Sequence, residues 1–309
     1  MKIVCFGEAL IDFKETAALA FQGFVGGSPL NVTVAAARLG TPVALASQVS
    51  LDFLGEAIML HMAQNGVMDS LITRSKAPST VAFVAEHGGD VDFTFVNNGA
   101  ADTLYDPQPR LTLPESVRFI SFGSISLLSD PAARAILETV AAHKENCAVI
   151  FDPNVRPALI PDRAAYLPLL EKALSLAHLV KVSAQDLRWL YPETPPLEAA
   201  QDWLSHGPEA IIVTQGSSGT VLLRREGRLE VSTPVVRIED TVGAGDTFMG
   251  ALMVRLEEQG YYRGFSALAD TAWRDALTFA AAAAALNCTR PGADPPTRAE
   301  LEAVHTQKI

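Results

Sequence analysis

Residues 117–182 alternate between two patterns: VRFISF (117–122), PAARAILETVAAH (131–143), AVIF (148–151), RAAYLPLLEKALSL (163–176) and LVKV (179–182). The short runs are aliphatic, β-branched or aromatic almost throughout, as strands buried on both faces must be. The longer runs repeat apolar residues three and four apart, the mark of helices with one covered face. Strands joined through helices pair in parallel, so the stretch predicts an α/β fold: a doubly wound, mostly parallel sheet flanked by helices. Ligands of such sheets bind beyond the carboxyl ends of the strands.

The same alternation extends outward. Lys2 to Gly7 reads as a buried strand. A helix follows with Ser28 as N-cap and Pro29 in its first turn, closing at Gly40. Val43 to Val49 is a strand, and Phe53 to Asn65 a helix stopped by Gly66. Past the central stretch come a strand at Ala210–Thr214, a hairpin around Arg225-Glu226-Gly227, and helices after residue 244. Thr80 to Val96 breaks the pattern. Two β-rich runs there flank His87-Gly88-Gly89-Asp90, a hairpin signal. The expectation is one domain over residues 1–309 into which a small β-lid, residues 11–25 and 80–98, is inserted.

Composition narrows the classes. The 309 residues are 49% hydrophobic, enough for one large core. No run approaches the ~18 apolar residues of a membrane span, and Ala280–Leu286 reads as a short buried helix. MKIVCFGEALIDF opens like a core strand without a cleavage site, so the expected location is cytoplasmic. Cys5, Cys147 and Cys288 are odd in number and far apart, which fits reduced thiols. A formal charge of −11 speaks against nucleic acid or an anionic membrane as partner. His61, His87, His143, His178, His206 and His305 show no metal-ligand spacing, and Trp189, Trp203 and Trp273 sit in helical patterns that suit packing.

Two glycine turns carry the chemistry. In Asp240-Thr241-Val242-Gly243-Ala244-Gly245-Asp246, small residues run directly into a helical pattern, Thr247 to Glu258. Unpaired backbone N–H groups at a helix N-terminus favour an anion, and glycine lets a ligand approach the backbone. Asp246 adds a carboxylate to the same space. Phosphoryl transfer to a hydroxyl needs that pair: donors for the developing charge and a base for the alcohol proton. The second turn is Gly26-Gly27-Ser28-Pro29-Leu30-Asn31, where Asn31 offers both a donor and an acceptor of the kind a polyol requires. Asp12, after the first strand, is a carboxylate able to accept two sugar hydroxyls.

GGSPLNVTVAAARLG (26–40) and DTVGAGDTF (240–248) resemble the two signature segments of the ribokinase-like (PfkB) carbohydrate kinases, in order and spacing. FGEALIDF, FDPNVRP (151–157), VTQGSSG (213–219) and LNCTRPGADPPT (286–297) are similar to bacterial fructokinases of that family, so the likeness covers essentially the whole chain. It implies a ribokinase-like fold and transfer of phosphate from ATP to a sugar's primary hydroxyl, fructose becoming fructose 6-phosphate. Asp246 would be the general base, and Gly243, Ala244 and Gly245 the anion hole. Asp12, Gly27, Asn31, Asn97 and Arg156 would hold the sugar. Thr214, Gly216 and Gly219 fall where the family's nucleotide loop runs, and this family uses no Walker lysine. The resemblance also implies Mg2+ with the nucleotide. The lid, β-structured with an exposed edge, is expected to close over the sugar and to pair with a second subunit in a homodimer.

The chain departs from the family pattern in places. The N-x-x-E segment that acts on magnesium and phosphate through waters is here Ser183-Ala184-Gln185-Asp186, which equally fits a helix N-capping box. Where relatives carry an Asn near adenine this chain has alanines around Ala280 to Ala284, leaving Asn287 as substitute. Relatives bind a monovalent cation through carbonyls near the Asp-Thr segment and the late loop; Asp240, Val242, Arg290 and Gly292 match by position, so K+ is a candidate. 2-Keto-3-deoxygluconate kinases share both signatures but tend to carry Tyr-x-Arg or Tyr-Arg in the lid strand, where this chain has Phe95-Val96-Asn97-Asn98. From other classes, a sugar-binding sensor without turnover would have no use for Asp246. A dinucleotide-dependent dehydrogenase would need a G-x-G-x-x-G after the first strand, which is missing.

Overall fold

The computed structural model describes residues 1–87 and 90–306. The chain begins with β1 (Ile3–Phe6), β2 (Leu10–Ala17), β3 (Ala20–Gly26), α1 (Ser28–Arg38), β4 (Val43–Ser50), α2 (Phe53–Gln64), β5 (Ile72–Ser75), β6 (Val81–His87) and β7 (Asp90–Val96). It continues through β8 (Phe119–Gly123), α3 (Ala132–His143), β9 (Ala148–Asp152), α4 (Arg163–Leu176), β10 (Leu179–Ser183), α5 (Ala184–Leu190), α6 (Pro196–Trp203) and β11 (Ala210–Thr214). Last come β12 (Thr220–Arg224), β13 (Gly227–Val231), α7 (Ala244–Glu258), α8 (Asp270–Asn287) and α9 (Arg298–Thr306).

Among the described residues nine strands form one sheet, in the order β13-β12-β11-β10-β9-β8-β1-β4-β5. Pairing is parallel from β11 to β5, and β12 and β13 extend it antiparallel. The doubly wound sheet expected from the alternation is therefore present. Side chains on a strand alternate between faces, and two cores follow from that. Ile3, Cys5, Ala148, Ile150 and Ile212 share a core with Leu30, Phe248, Leu252 and Leu277, from α1, α7 and α8. Val4, Phe6, Val149, Phe151 and Val213 share the other with Ile136, Leu170, Leu187 and Ala200, from α3 to α6.

A second sheet has the order β3-β2-β6-β7, with β2 and β6 parallel and the outer pairs antiparallel. Phe13 and Phe83 stand opposite each other and stack, with ring centroids 5.5 Å apart. The Gly88-Gly89 tip of the expected hairpin lies outside the described residues. The two strands leading to it pair from Val81↔Val96 to His87↔Asp90.

Two helix starts differ from the sequence reading. Gly27, at φ 105°, is the N-cap of α1, and Ser28 is its first helical residue. The Ser28 hydroxyl is not spent on capping; it is drawn to Asp246 on α7. Helix α7 begins at Ala244, three residues early, and from Asp246 to Leu256 nearly every side chain is buried. It packs between α1 and α8 instead of showing a polar face to water. Gly250 permits this, because a Cβ there would stand 2.7 Å from the carbonyl oxygen of Val32 on α1. The close crossing sets the α7 N-terminus against that of α1.

Candidate active site

Asp246 sits where those two helix starts meet, only 8% exposed. Its Oδ1 accepts the Ser28 hydroxyl at 2.6 Å and its Oδ2 accepts Asn31 Nδ2 at 2.9 Å. Residues 28 and 31 are one helical turn apart, so α1 presents both donors on one face. Burial pushes the Asp246 carboxyl above the ordinary range; the Ser28 and Asn31 hydrogen bonds and the charge of Lys181 oppose the shift, and Asp152 adds to it.

Lys181 lies on β10, 4% exposed, with Nζ 2.8 Å from Asp152 Oδ2 at the end of β9. A Cβ on Gly245 would stand 2.8 Å from that ammonium. The ammonium therefore lies directly beside the glycine turn that opens α7. Sequence reasoning missed Lys181, although a lone lysine in the apolar run LVKV is itself a signal, since buried lysines need a partner. Asp152 was equally legible, as the acid ending a buried strand. A third carboxylate, Asp186, is pushed up by burial and then by repulsion from Asp152. Acids thus outnumber the single lysine in this buried region.

The glycine turn keeps its expected geometry with one correction. Gly243 is the N-cap of α7 at φ 74°, a left-handed conformation that suits glycine, and a Cβ there would meet Ala293 Cβ at 2.5 Å. Gly245 and Asp246 lie in the first turn, whose N–H groups have no intrahelical partner. Ala244 does not belong with them as an anion-hole donor: its N–H donates to the Thr241 carbonyl at 3.2 Å, closing the turn.

Of the residues expected to hold sugar, Asn31 bonds Asp246, Asp12 lies near enough to feel its charge, Arg156 lies near Asp12, and Gly27 stands at the start of α1. Burial raises the Asp12 carboxyl to about 6; the Arg156 charge lowers it and Asp246 raises it, so Asp12 feels both groups. Arg156 Nη1 donates to Asn154 Oδ1 at 2.7 Å, and the guanidinium lies 5.8 Å from the centroid of the Phe93 ring on β7. Asn97 follows β7 and accepts the Ala100 N–H at 3.1 Å through its carbonyl. Among the described residues no hydrogen bond joins it to Asp12, Asn31 or Asp246.

On the nucleotide side, Ser183 and Thr214 are register partners at the ends of β10 and β11. Gly216 opens a short turn and Gly219 closes it, with Gln215 N–H donating to the Gly219 carbonyl at 2.9 Å. The segment Ser183–Asp186 forms a capping box: the Asp186 N–H donates to Ser183 Oγ at 3.0 Å and the Ser183 N–H to Asp186 Oδ2 at 3.2 Å. Asn287 requires correction. It is fully buried, donating Nδ2 to the Val242 carbonyl at 2.8 Å and accepting Thr247 Oγ1 at 3.3 Å. It braces the loop that feeds the glycine turn, and its buried amide is committed to that loop and to α7.

The four positions matched to a monovalent cation also gather. Asp240 Oδ1 accepts the Val242 N–H at 3.0 Å, and Oδ2 accepts the Gly292 N–H at 3.0 Å. Lys14 Nζ, from β2, reaches the same Oδ2 at 3.0 Å. Burial would raise the Asp240 carboxyl, but the bonds from Val242, Gly292 and Lys14 outweigh it and hold it below the usual range. Arg290 turns its guanidinium to Asp294 at 3.3 Å and Glu300 at 2.6 Å.

A buried carboxylate thus meets two helix N-termini, with an ammonium beside the glycine turn. The family model described as pfkB family carbohydrate kinase matches residues 1–300. The chain belongs to that family, and it is a sugar kinase by fold and by relationship. A fructokinase of Rhizobium leguminosarum bv. trifolii is 30% identical over 262 residues, 82% of this chain and 79% of that one. The crystal structure of a fructokinase from Xylella fastidiosa with bound ATP superposes with a TM-score of 0.88 at 28% identity, covering 99% of this chain and 98% of that one. A doubly substituted fructokinase from Vibrio cholerae O395, in a form with bound fructose, ADP and potassium ion, gives a TM-score of 0.85 at 25% identity, with 98% of each chain covered. Among the described residues no helix is long and apolar enough to cross a membrane.

Proposed function

We propose that the chain transfers the γ-phosphoryl group of ATP to the primary hydroxyl of fructose, forming fructose 6-phosphate. The observation that carries this is the Asp246 carboxylate, already accepting a hydroxyl proton from Ser28 at 2.6 Å. A sugar hydroxyl approaching that carboxylate would donate the same kind of bond, and Asp246 would take the proton as the oxygen attacks phosphorus. The N–H groups of the first α7 turn and the Lys181 ammonium stand where charge develops on the transferring group. Positioning and fixed charge supply most of the catalysis in such transfers.

Fructose is favoured over an acidic sugar by the state of Arg156. Its guanidinium is shared between Asn154, the Phe93 face and the charge of Asp12, so it is already engaged and not held open for a substrate carboxylate. Asp12, Asn31 and Asn97 are short polar groups that suit a neutral polyol. The Thr214–Gly219 turn is the proposed nucleotide loop. Magnesium, carried on the nucleotide phosphates, would neutralise their charge, and the acid excess of Asp152 and Asp186 fits a cation brought to that region. In the same reading the small sheet is a lid over the sugar, its outer strands β3 and β7 offering edges to a second subunit.

A coupled ATP-consumption assay across a sugar panel tests this. Fructose is expected to exceed 2-keto-3-deoxygluconate in kcat/KM by at least about tenfold, because a site built around hydroxyls is penalised when one is missing. An equal or reversed ratio would remove fructose as the substrate and leave the kinase assignment standing.

A further inference from the structure

The carboxylate at the position matched to a monovalent cation is already engaged. The Asp240 carboxylate already takes three donors: the Val242 N–H, the Gly292 N–H and the Lys14 ammonium. The Val242 carbonyl accepts the Asn287 amide at 2.8 Å, which holds this loop in place. A second cation on this carboxylate would meet the charge of Lys14 across one or two oxygens, where like charges repel. We propose that the Lys14 ammonium takes the place of the monovalent cation at Asp240, so that this kinase works without potassium. The inference rests on the kinase reading of the site.

The geometry explains what the charge would do there. Asp240 fastens both loops that frame the glycine turn, one through Val242 and one through Gly292. A cation on Oδ2 stabilises the ionised carboxylate in the orientation that accepts both N–H groups, and the turn at Gly243 follows. Lys14 brings that cation from the second sheet. It lies two residues beyond Asp12 on β2, so the two side chains share one strand face: Asp12 near Asp246, Lys14 on Asp240. On β3, the register partner of Asp12 is Phe24, whose ring edge would lie 3.9 Å from a Cβ on Gly292. The small sheet therefore touches both loops of the cation position. A free ion would supply charge alone, whereas a lysine on this strand also couples the charge to the position of the small sheet.

The test compares wild type with Lys14→Met and Lys14→Arg in potassium chloride and in tetramethylammonium chloride at equal ionic strength. Wild type and Lys14→Arg are expected to change by less than about twofold in kcat/KM between the salts. Lys14→Met should lose at least about fivefold in the tetramethylammonium salt and recover to within about twofold of wild type in potassium, which now has a carboxylate to bind. Melting temperature supplies a readout independent of turnover: potassium should raise it by about 2 °C or more in Lys14→Met and leave wild type unmoved. Potassium activation or potassium stabilisation of the wild type would overturn the proposal. So would a Lys14→Met protein that is indifferent to potassium in both readouts, whether active or not. If no variant phosphorylates fructose in either salt, the substrate reading fails by itself, and the melting temperatures still decide the role of Lys14.

Discussion

Replacing Asp246 by Asn separates chemistry from folding, because the structure shows how the amide can be housed. Asp246 accepts one bond from Asn31 Nδ2 at 2.9 Å and one from the Ser28 hydroxyl at 2.6 Å. Asn31 can only donate through that nitrogen, so the new Oδ1 must face it. The new amide nitrogen then faces Ser28, whose hydroxyl can rotate to accept. Two hydrogen bonds survive as neutral ones, at a cost of about 1 kcal/mol. Against that loss, a carboxyl that burial already holds above the ordinary range is replaced by a neutral group. Stability should therefore change by no more than about 1 kcal/mol in either direction. The proton acceptor is gone, however, and kcat should fall by about 10²–10⁴-fold, roughly 3–5 kcal/mol in the barrier. Coupled assays at saturating fructose and Mg-ATP give kcat, and urea melts give stability. A variant keeping more than half of wild-type kcat would remove Asp246 from the mechanism. A large loss of stability would instead mean that the hydrogen-bond argument is wrong.

Lys181→Met should destabilise the protein by about 3–5 kcal/mol, since it strands the buried Asp152 carboxylate, and adding Asp152→Asn should recover part of that; a loss below about 1 kcal/mol in urea melts would contradict the buried pair. The same substitution should move the acid limb of the kcat/KM profile to higher pH, because Lys181 is one of the groups that oppose the upward shift of Asp246. Glu8, 2% exposed and accepting Ser124 Oγ at 2.6 Å as well as the Ser126 hydroxyl, is pushed by burial from 4.5 to about 7. The native state then holds a proton that the unfolded chain releases between those values, so its stabilising effect is present below 4.5 and lost as pH rises through 7. Urea melts at pH 5, 6.5 and 8 should show Glu8→Gln flattening this slope by up to about 3 kcal/mol; parallel slopes would exclude Glu8 as its source.

The main sheet was legible because its strands are buried on both faces and its helices on one, and both facts write a period into the sequence. Strand Ala210–Thr214 and helix Arg163–Leu176 fall where the pattern puts them. Strand β5 escaped the reading because ITRS is half-exposed at a sheet edge, where its three polar residues cost little. The start of α7 was placed three residues late because Ala244 and Gly245 carry no apolar signal, although they are the turn that makes the site. Asn287 was taken for a nucleotide contact because a sequence shows that an amide is present and not where it points. In the fold both of its ends are committed to the core of a loop.

The deeper gap concerns pairs distant in sequence. Ser28 and Asp246 are 218 residues apart, and read alone each is an ordinary helix-start residue. Capping was the sound local reading of Ser28, since serine before a proline and an apolar run is a frequent helix start. The close crossing of α1 on α7 overrides it by placing a buried carboxylate within reach. A charged acceptor in a dry site binds the hydroxyl more strongly than a backbone amide would. Lys14 and Asp240 are likewise 226 residues apart, and their ion pair joins the small sheet to the loop that leads into α7. In both, local propensity describes what the side chain can do and the topology selects which of those bonds forms. The residues most worth testing are accordingly those whose local explanation was sufficient and turned out not to be the bond they make.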